Sequence, residues 1–275
     1  MIIKYVNSTG QEVNLNEMPY KMLVSDILDY EWEVVTSANK IIGFGYDVKE
    51  KNLNIDVHRN KARGARENAN SLTEIFETDI LAEVPGRLYI DNQYLRCYIK
   101  SSEMGNWETD QIMQCEYGII TDFPFWITEK KYEFKINTEK EIGEHLDFPF
   151  DMPFDLMGDE KGIGNIISEH YAPCDFLLTV YGPCVNPRIV IRNNLYEVKT
   201  KLDTGEYMLI DSRAGTIVRV RTNGMKVNEF DNRVTDPNSP FEKIQLGYNL
   251  VSWDGSFGFD LLLYIERSVP AWQGK

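Results

Sequence analysis

Three histidines and four cysteines are the chain's whole supply of soft metal ligands and strong nucleophiles. His170, Cys174 and Cys184 come nearest to a zinc set. Their spacing lacks the paired Cys-x-x-Cys or His-x-x-x-His knuckles that hold a tetrahedral ion. The plainer reading is one buried thiol ahead of a strand and another in the turn Tyr181-Gly182-Pro183-Cys184. Carboxylates are plentiful, and a glycosidase needs two of them at a defined separation across the scissile bond. With 43 Asp and Glu to choose from, sequence spacing selects no pair, and Asp147, Asp151 and Asp155 read as solvent-facing charges. Gly43-Phe44-Gly45 and Gly162-Ile163-Gly164 lack the third glycine and the strand-to-helix setting of a pyrophosphate cradle, so both read as turns. The expectation is a protein without catalysis, metal or cofactor.

Two stretches stand out for density. The run His58 to Arg66, HRNKARGAR, places Arg59, Lys61, Arg63 and Arg66 close together in an otherwise acidic chain. It can be read as a phosphate-binding patch or as a solvated lead-in to a helix. The favoured reading is a charged contact to an acidic neighbour, such as a second copy of the chain, where complementarity sets register and approach. The second stretch, Trp253 to Asp260, reads WDGSFGFD and crowds aromatics, acids and glycines together. No base, metal ligand or oxyanion donor accompanies it. Asp254-Gly255 therefore reads as the turn of a closing hairpin whose second strand sends Phe257, Phe259, Leu261, Leu263 and Ile265 to one face at period two.

The elements that would position these residues are mostly strands. Alternating segments bounded by Gly, Asn or Asp occur at Asn52 to Val57, Gly86 to Ile90, Tyr94 to Ile99, Arg188 to Ile191, Glu206 to Ile210 and Thr216 to Arg221. Asp91-Asn92, Arg192-Asn193-Asn194 and Asn223-Gly224 supply hairpin turn chemistry. One segment is helical: Ala62 to Leu81 brings Leu72, Ile75, Phe76 and Ile80 to one stripe, which predicts a helix covering a face of the first sheet. From Asn137 to Cys174 the text is rich in Pro, Gly and acids and fits no regular element. It reads as an extended connector whose phenylalanines dock on a domain surface. The boundary is placed near Ile136 to Thr138, giving domains 1–138 and 139–275, with the last ten or so residues returning to the first.

Charge narrows the function classes. A net charge of −14 repels phosphate backbones and anionic lipid, so specific nucleic-acid binding and membrane binding are disfavoured. Such repulsion suits a protein lining a channel through which nucleic acid slides. The N-terminus lacks the apolar core of a signal peptide, no stretch approaches ~20 apolar residues, and the cysteines are too few for a disulfide scaffold. These features predict a soluble chain made in a cytoplasm.

Taken together, IIKYVNSTGQEVNLNE, GRLYIDNQYLRCYIKSS, the turn Tyr181 to Pro187, the strand Gly205 to Arg213 and Gly247 to Trp253 resemble the distal tail proteins of long, flexible-tailed phages, especially those of Gram-positive hosts. The resemblance implies a mainly β fold. Its first domain would be a split-barrel-like sheet with one helix, and its second a galectin-like β-sandwich. It implies a virion protein assembled in the host cytoplasm, forming a hexameric ring between tail tube and tail-tip fibre protein and carrying receptor-binding proteins. The basic run would then serve as an inter-subunit face. An alternative of another class is a module that stacks wall polysaccharide on Tyr207, Tyr248 or Trp253, although such a sandwich need not bind sugar.

Overall fold

The computed structural model describes residues 1–136, 162–235 and 238–272. The chain divides into two compact units, residues 1–128 with 266–275, and residues 129–265. The boundary expected near residue 138 runs into residues 137–161, outside the described residues, as does most of the connector reading.

The first unit carries β1 (Ile3–Val6), β2 (Glu12–Asn14), β3 (Tyr20–Met22), β4 (Glu33–Ser37), β5 (Lys40–Gly45), β6 (Lys49–His58), α1 (Ala65–Ala82), β7 (Gly86–Ile90), β8 (Gln93–Gly105), β9 (Ile112–Thr121) and the start of β10 (Trp126–Phe134). β8 bends the sheet. Residues 93–97 pair with β7 and, from Tyr98 on, the strand pairs with β9 across an irregularity between Ile99 and Ser101. From β9 the order continues to β6 and β3, and from β7 to β1 and β2. Leu15 closes the circuit: its N–H donates to the Ile3 carbonyl, and its own carbonyl accepts from Met22 N, both at 2.8 Å. Inside lie Leu53, Ile55 and Val57 from β6, Tyr117 and Ile119 from β9, and Leu72 and Phe76 from α1, all at most 2% exposed.

The helix packs on β6, β8 and β9, as its stripe predicts. Its inward row runs Leu72, Phe76, Asp79, which turns Ile80 out to 41% exposure and corrects the sequence expectation for that residue. Asp79 is fully buried. Tyr5 Oη donates to its Oδ2 at 2.5 Å and Ser8 N to its Oδ1 at 2.6 Å, and burial pushes the Tyr5 hydroxyl far above its ordinary pKa. Gly86 is required beside this pair, because a Cβ there would stand 2.2 Å from Tyr5 Oη.

The second unit is a two-sheet sandwich. After β10 come β11 (Gly162–Ser168), β12 (Asp175–Tyr181), β13 (Cys184–Val185), β14 (Arg188–Ile191), β15 (Asn194–Glu197), β16 (Lys201–Leu202), β17 (Tyr207–Asp211), β18 (Thr216–Val220), β19 (Lys226–Asn228), β20 (Gly247–Trp253) and β21 (Phe259–Arg267). One sheet runs β19-β18-β17-β12-β21, the other β11-β20-β14-β15, and β13 pairs with β16. Three expectations are corrected here. Gly162-Ile163-Gly164 lies in β11, not in a turn, and Gly43-Phe44-Gly45 lies in β5. β20 and β21 do not form a hairpin either: β20 pairs with β11 and β14, β21 with β12, and the chain from Trp253 to Phe259 crosses between the sheets. Alternation assigns a residue to a face of its strand, not to a particular sheet.

Candidate interaction surfaces

The first unit exposes a run of apolar side chains along its β4–β5 arm. Its turn is Ala38-Asn39, both at positive φ (47° and 62°), which matches the right-handed twist of a two-residue hairpin. The two strands pair with each other and, among the described residues, with no third strand. Val34-Val35 and Ile41-Ile42 are consecutive pairs, so both faces of the ribbon are apolar. Val34, Ile41, Ile42 and Phe44 are 51–65% exposed. At the root of the arm stand Tyr30, Trp32, Tyr46, Phe123 and Phe125, with ring centroids 4.9–5.8 Å apart. Lys49 donates to Glu33 beside them. A lone hairpin is marginal in water. This one is anchored at its base by rings and an ion pair, and it leaves its length uncovered.

The basic run lies at the N-terminus of α1, and its four cations divide into two kinds. Arg66 is committed within the chain: Nε and Nη2 donate to the Trp107 carbonyl at 3.1 and 2.6 Å, and Nη2 reaches the Glu108 carbonyl at 3.3 Å. Arg66 N donates to Asp110 Oδ1 at 3.0 Å, and Ala65 N to the Asp110 carbonyl at 3.3 Å, so the β8–β9 loop caps the helix. Gly64 permits this approach, since a Cβ there would sit 1.8 Å from Asp110 Oδ2. Arg63 donates to Ser71 Oγ at 2.9 Å. Arg59 holds only a 3.4 Å contact to Gln111 Oε1, and Lys61 makes no ion pair or hydrogen bond among the described residues. Arg59 and Lys61 therefore face outward, while Arg66 holds the backbone of Trp107, whose indole is 63% exposed.

The three sugar-stacking candidates do not converge. Tyr207 is half-buried on β17 in one sheet, and Tyr248 is 59% exposed on β20 in the other. Trp253 points inward from β20: its indole N–H donates to the Phe257 carbonyl at 3.0 Å, and Phe134 and Phe259 close on its ring. Trp253 is thus core and offers no stacking face. Asp254 accepts from Ser256 N and Oγ at 2.8–2.9 Å, which makes WDGS a turn with its carboxylate engaged. Cys174 is buried beside Ser168 Oγ, while Cys184 belongs to the β13–β16 ribbon, where burial pushes its thiol up to about 11. Among the described residues no cluster of three His, Cys, Asp or Glu side chains could hold a metal, and no helix is long and apolar enough to cross a membrane.

The arm and Trp107 escaped the reading of the sequence. The signal for the arm was present: two apolar doublets, Val34-Val35 and Ile41-Ile42, on either side of Ala38-Asn39. A ribbon apolar on both faces exposes apolar side chains on both, and among the described residues no third strand pairs with it.

No protein-family model and no curated protein matches the chain. Solved structures do. The Dit protein of phage SPP1, described as a paradigm of the hub adsorption apparatus in Gram-positive infecting phages, superposes with a TM-score of 0.54 at 8% identity, covering 97% of this chain and 100% of that one. A chain of the phage P2 baseplate in its activated conformation with Ca gives 0.59 at 12% identity over 98% and 100%. The corresponding structure with Sr gives 0.61 at 11% identity over 98% and 99%. At these identities the likeness is one of fold, and it spans both units.

Proposed function

We propose that this chain, which has the fold of Dit-type phage hub proteins, is a structural subunit of a phage tail tip. Six copies close into a ring between the tail tube and the tail-tip fibre protein, and the ring carries receptor-binding proteins. The subunit is made and assembled in the host cytoplasm and has no catalytic task. The observation that carries the reading is the β4–β5 arm, which exposes apolar side chains on both faces. Contiguous exposed apolar surface of this kind marks a protein contact, and a ring of identical subunits supplies that contact at every protomer through a heterologous interface. The outward cations Arg59 and Lys61 are the candidate charged contact to an acidic neighbour. A net charge of −14 suits a ring around a path for DNA, because it repels the phosphate backbone.

The test is the particle mass and symmetry of the full chain, alone and co-expressed with its tail-tube and tail-tip partners, by light scattering and negative-stain electron microscopy. Six-fold rings are expected in at least one of the two samples. They should be lost when residues 33–45 are replaced by a short Gly-Ser link, and weakened in a salt-dependent way by Arg59→Glu with Lys61→Glu. Monomers in both samples, or rings indifferent to removal of the arm, overturn the reading.

A further inference from the structure

β6 is ten residues long, roughly 30 Å at about 3.3 Å per residue, and it runs between two surfaces of opposite charge. At its Lys49 end stands the root of the arm. The cations there are already engaged. Lys51 is buried and its Nζ donates to the Asp26 and Asp29 carbonyls, Lys49 is held by Glu33, and Lys100 reaches across to Glu50. That leaves the carboxylates of Asp29, Glu31 and Asp47, all exposed, without an ion pair or hydrogen bond among the described residues. The root is electronegative enough to act on its own lysine: Lys49 is pushed above its ordinary pKa by the bond to Glu33, with the charges of Glu31 and Asp47 adding to it. Asp29 and Glu31 border an open pocket of about 430 Å³ with Tyr30 in its wall, room enough for a lysine or arginine side chain.

At the other end, His58 pairs with Ile112, and the basic run begins. Arg59 and Lys61 carry no ion pair among the described residues. Of the acids in the adjoining β8–β9 loop, Asp110 is engaged at the helix cap and Glu108 is exposed. Both ends set exposed apolar side chains beside the charge: Trp107 and Ile112 here, Trp32, Tyr46 and Val48 at the root.

We infer that the acidic root of the arm in one copy receives the Arg59, Lys61 and Trp107 surface of the next copy, a cation entering the pocket beside Asp29 and Glu31. The inference rests on the ring reading above and names the acidic face that the basic run meets. Patches of opposite sign at the two ends of one strand join copies head to tail, and complementary charge sets the register. Both surfaces are built before they meet. Arg66 holds the backbone of Trp107, and the rings of Tyr30, Trp32, Tyr46 and Phe125 hold the root, so little freedom is lost on contact. The charged contact is also continuous with the apolar one that the arm makes.

The experiment reverses charge at exposed positions of the full chain, alone and co-expressed with its tail partners, and reads assembly by light scattering and negative-stain electron microscopy. Arg59→Glu with Lys61→Glu makes the basic end acidic, and Glu31→Lys with Asp47→Lys makes the root basic. Each variant by itself should lose assembly about tenfold or more at about 0.1 M salt, because like charges then face each other across the contact. Mixed in equal amounts the two should assemble again, since each supplies the face that the other lacks, and so should the chain that carries all four changes. Glu31→Gln with Asp47→Asn keeps the shape and should weaken assembly while flattening its salt dependence, which decides the matter even if the reversed root fails to fold. Native rings with an unimpaired root variant, or with no recovery in the mixture and the fourfold chain, overturn the inference and leave the ring reading standing. A mixture that stops at dimers overturns the head-to-tail arrangement. Monomers of the native chain in both samples overturn the ring reading and this inference with it.

Discussion

Two aromatic-rich stretches of this chain have opposite fates. From Trp253 to Phe259 every large ring is buried: Trp253 is 6% exposed, Phe257 2% and Phe259 0%. From Trp32 to Tyr46 the rings are 42–64% exposed. Residue types do not separate them. What separates them is the number of elements that approach. Phe259 sits on a strand paired with β12, stacks on Phe134 at 4.5 Å and meets Trp253 edge-on from the facing sheet. Phe44 has β4 beside it and open space beyond, and even the glycines flanking it would meet nothing with an added Cβ. Apolar density in a sequence therefore measures how much surface must be covered, and leaves open whether the cover comes from the same chain.

The comparison breaks first at the core. Phe259→Ala removes the ring that Phe134 and Trp253 close upon and should lower the unfolding free energy by about 3–5 kcal/mol, read by denaturant titration of the full chain. A loss under about 1 kcal/mol would mean that the rings are not a packed core. An intermediate case is Arg66→Ala. It deletes the grip on the Trp107 and Glu108 carbonyls at an exposed site and should cost about 1 kcal/mol. The sharper readout is faster amide exchange across residues 106–111, with the β6–β9 ladder unchanged. The smallest effect belongs to the arm: Ile42→Ser with Phe44→Ser should shift monomer stability by less than about 0.5 kcal/mol while abolishing assembly. A large stability loss there would show that the arm is core after all.

Much of this fold is legible in the sequence, for local reasons. The hairpins at Asp91-Asn92, Arg192-Asn193 and Asn223-Gly224 form where turn chemistry and alternation agree, and α1 packs through Leu72 and Phe76 as its period requires. What escapes depends on distant partners. Asp79 reads as a polar helix residue until Tyr5 and Ser8 are brought to it from the N-terminal strand and the turn after it. Trp253 reads as a sugar platform until Gly162 is found against its ring, at a place where a Cβ would stand 2.5 Å from it. The basic run reads as one patch, yet Arg66 and Arg63 are drawn into local bonds and only Arg59 and Lys61 are left facing solvent. Charge spacing records where cations lie along the chain. It does not record which of them a neighbouring loop has already claimed.

One modest contact of the first unit has a consequence in time. Gln93 exchanges two hydrogen bonds with the backbone of Ala271, Nε2 to its carbonyl at 2.9 Å and Oε1 from its N–H at 2.7 Å, and so holds a segment that follows the whole sandwich in the chain. On the ribosome, residues 129–265 emerge between the two parts of the first unit. The sandwich has all its strands available while the other unit still waits for its last strap. The unit that bears the arm is thus the last to be finished, and a nascent chain acquires its complete assembly surface only after the projecting domain can already have folded.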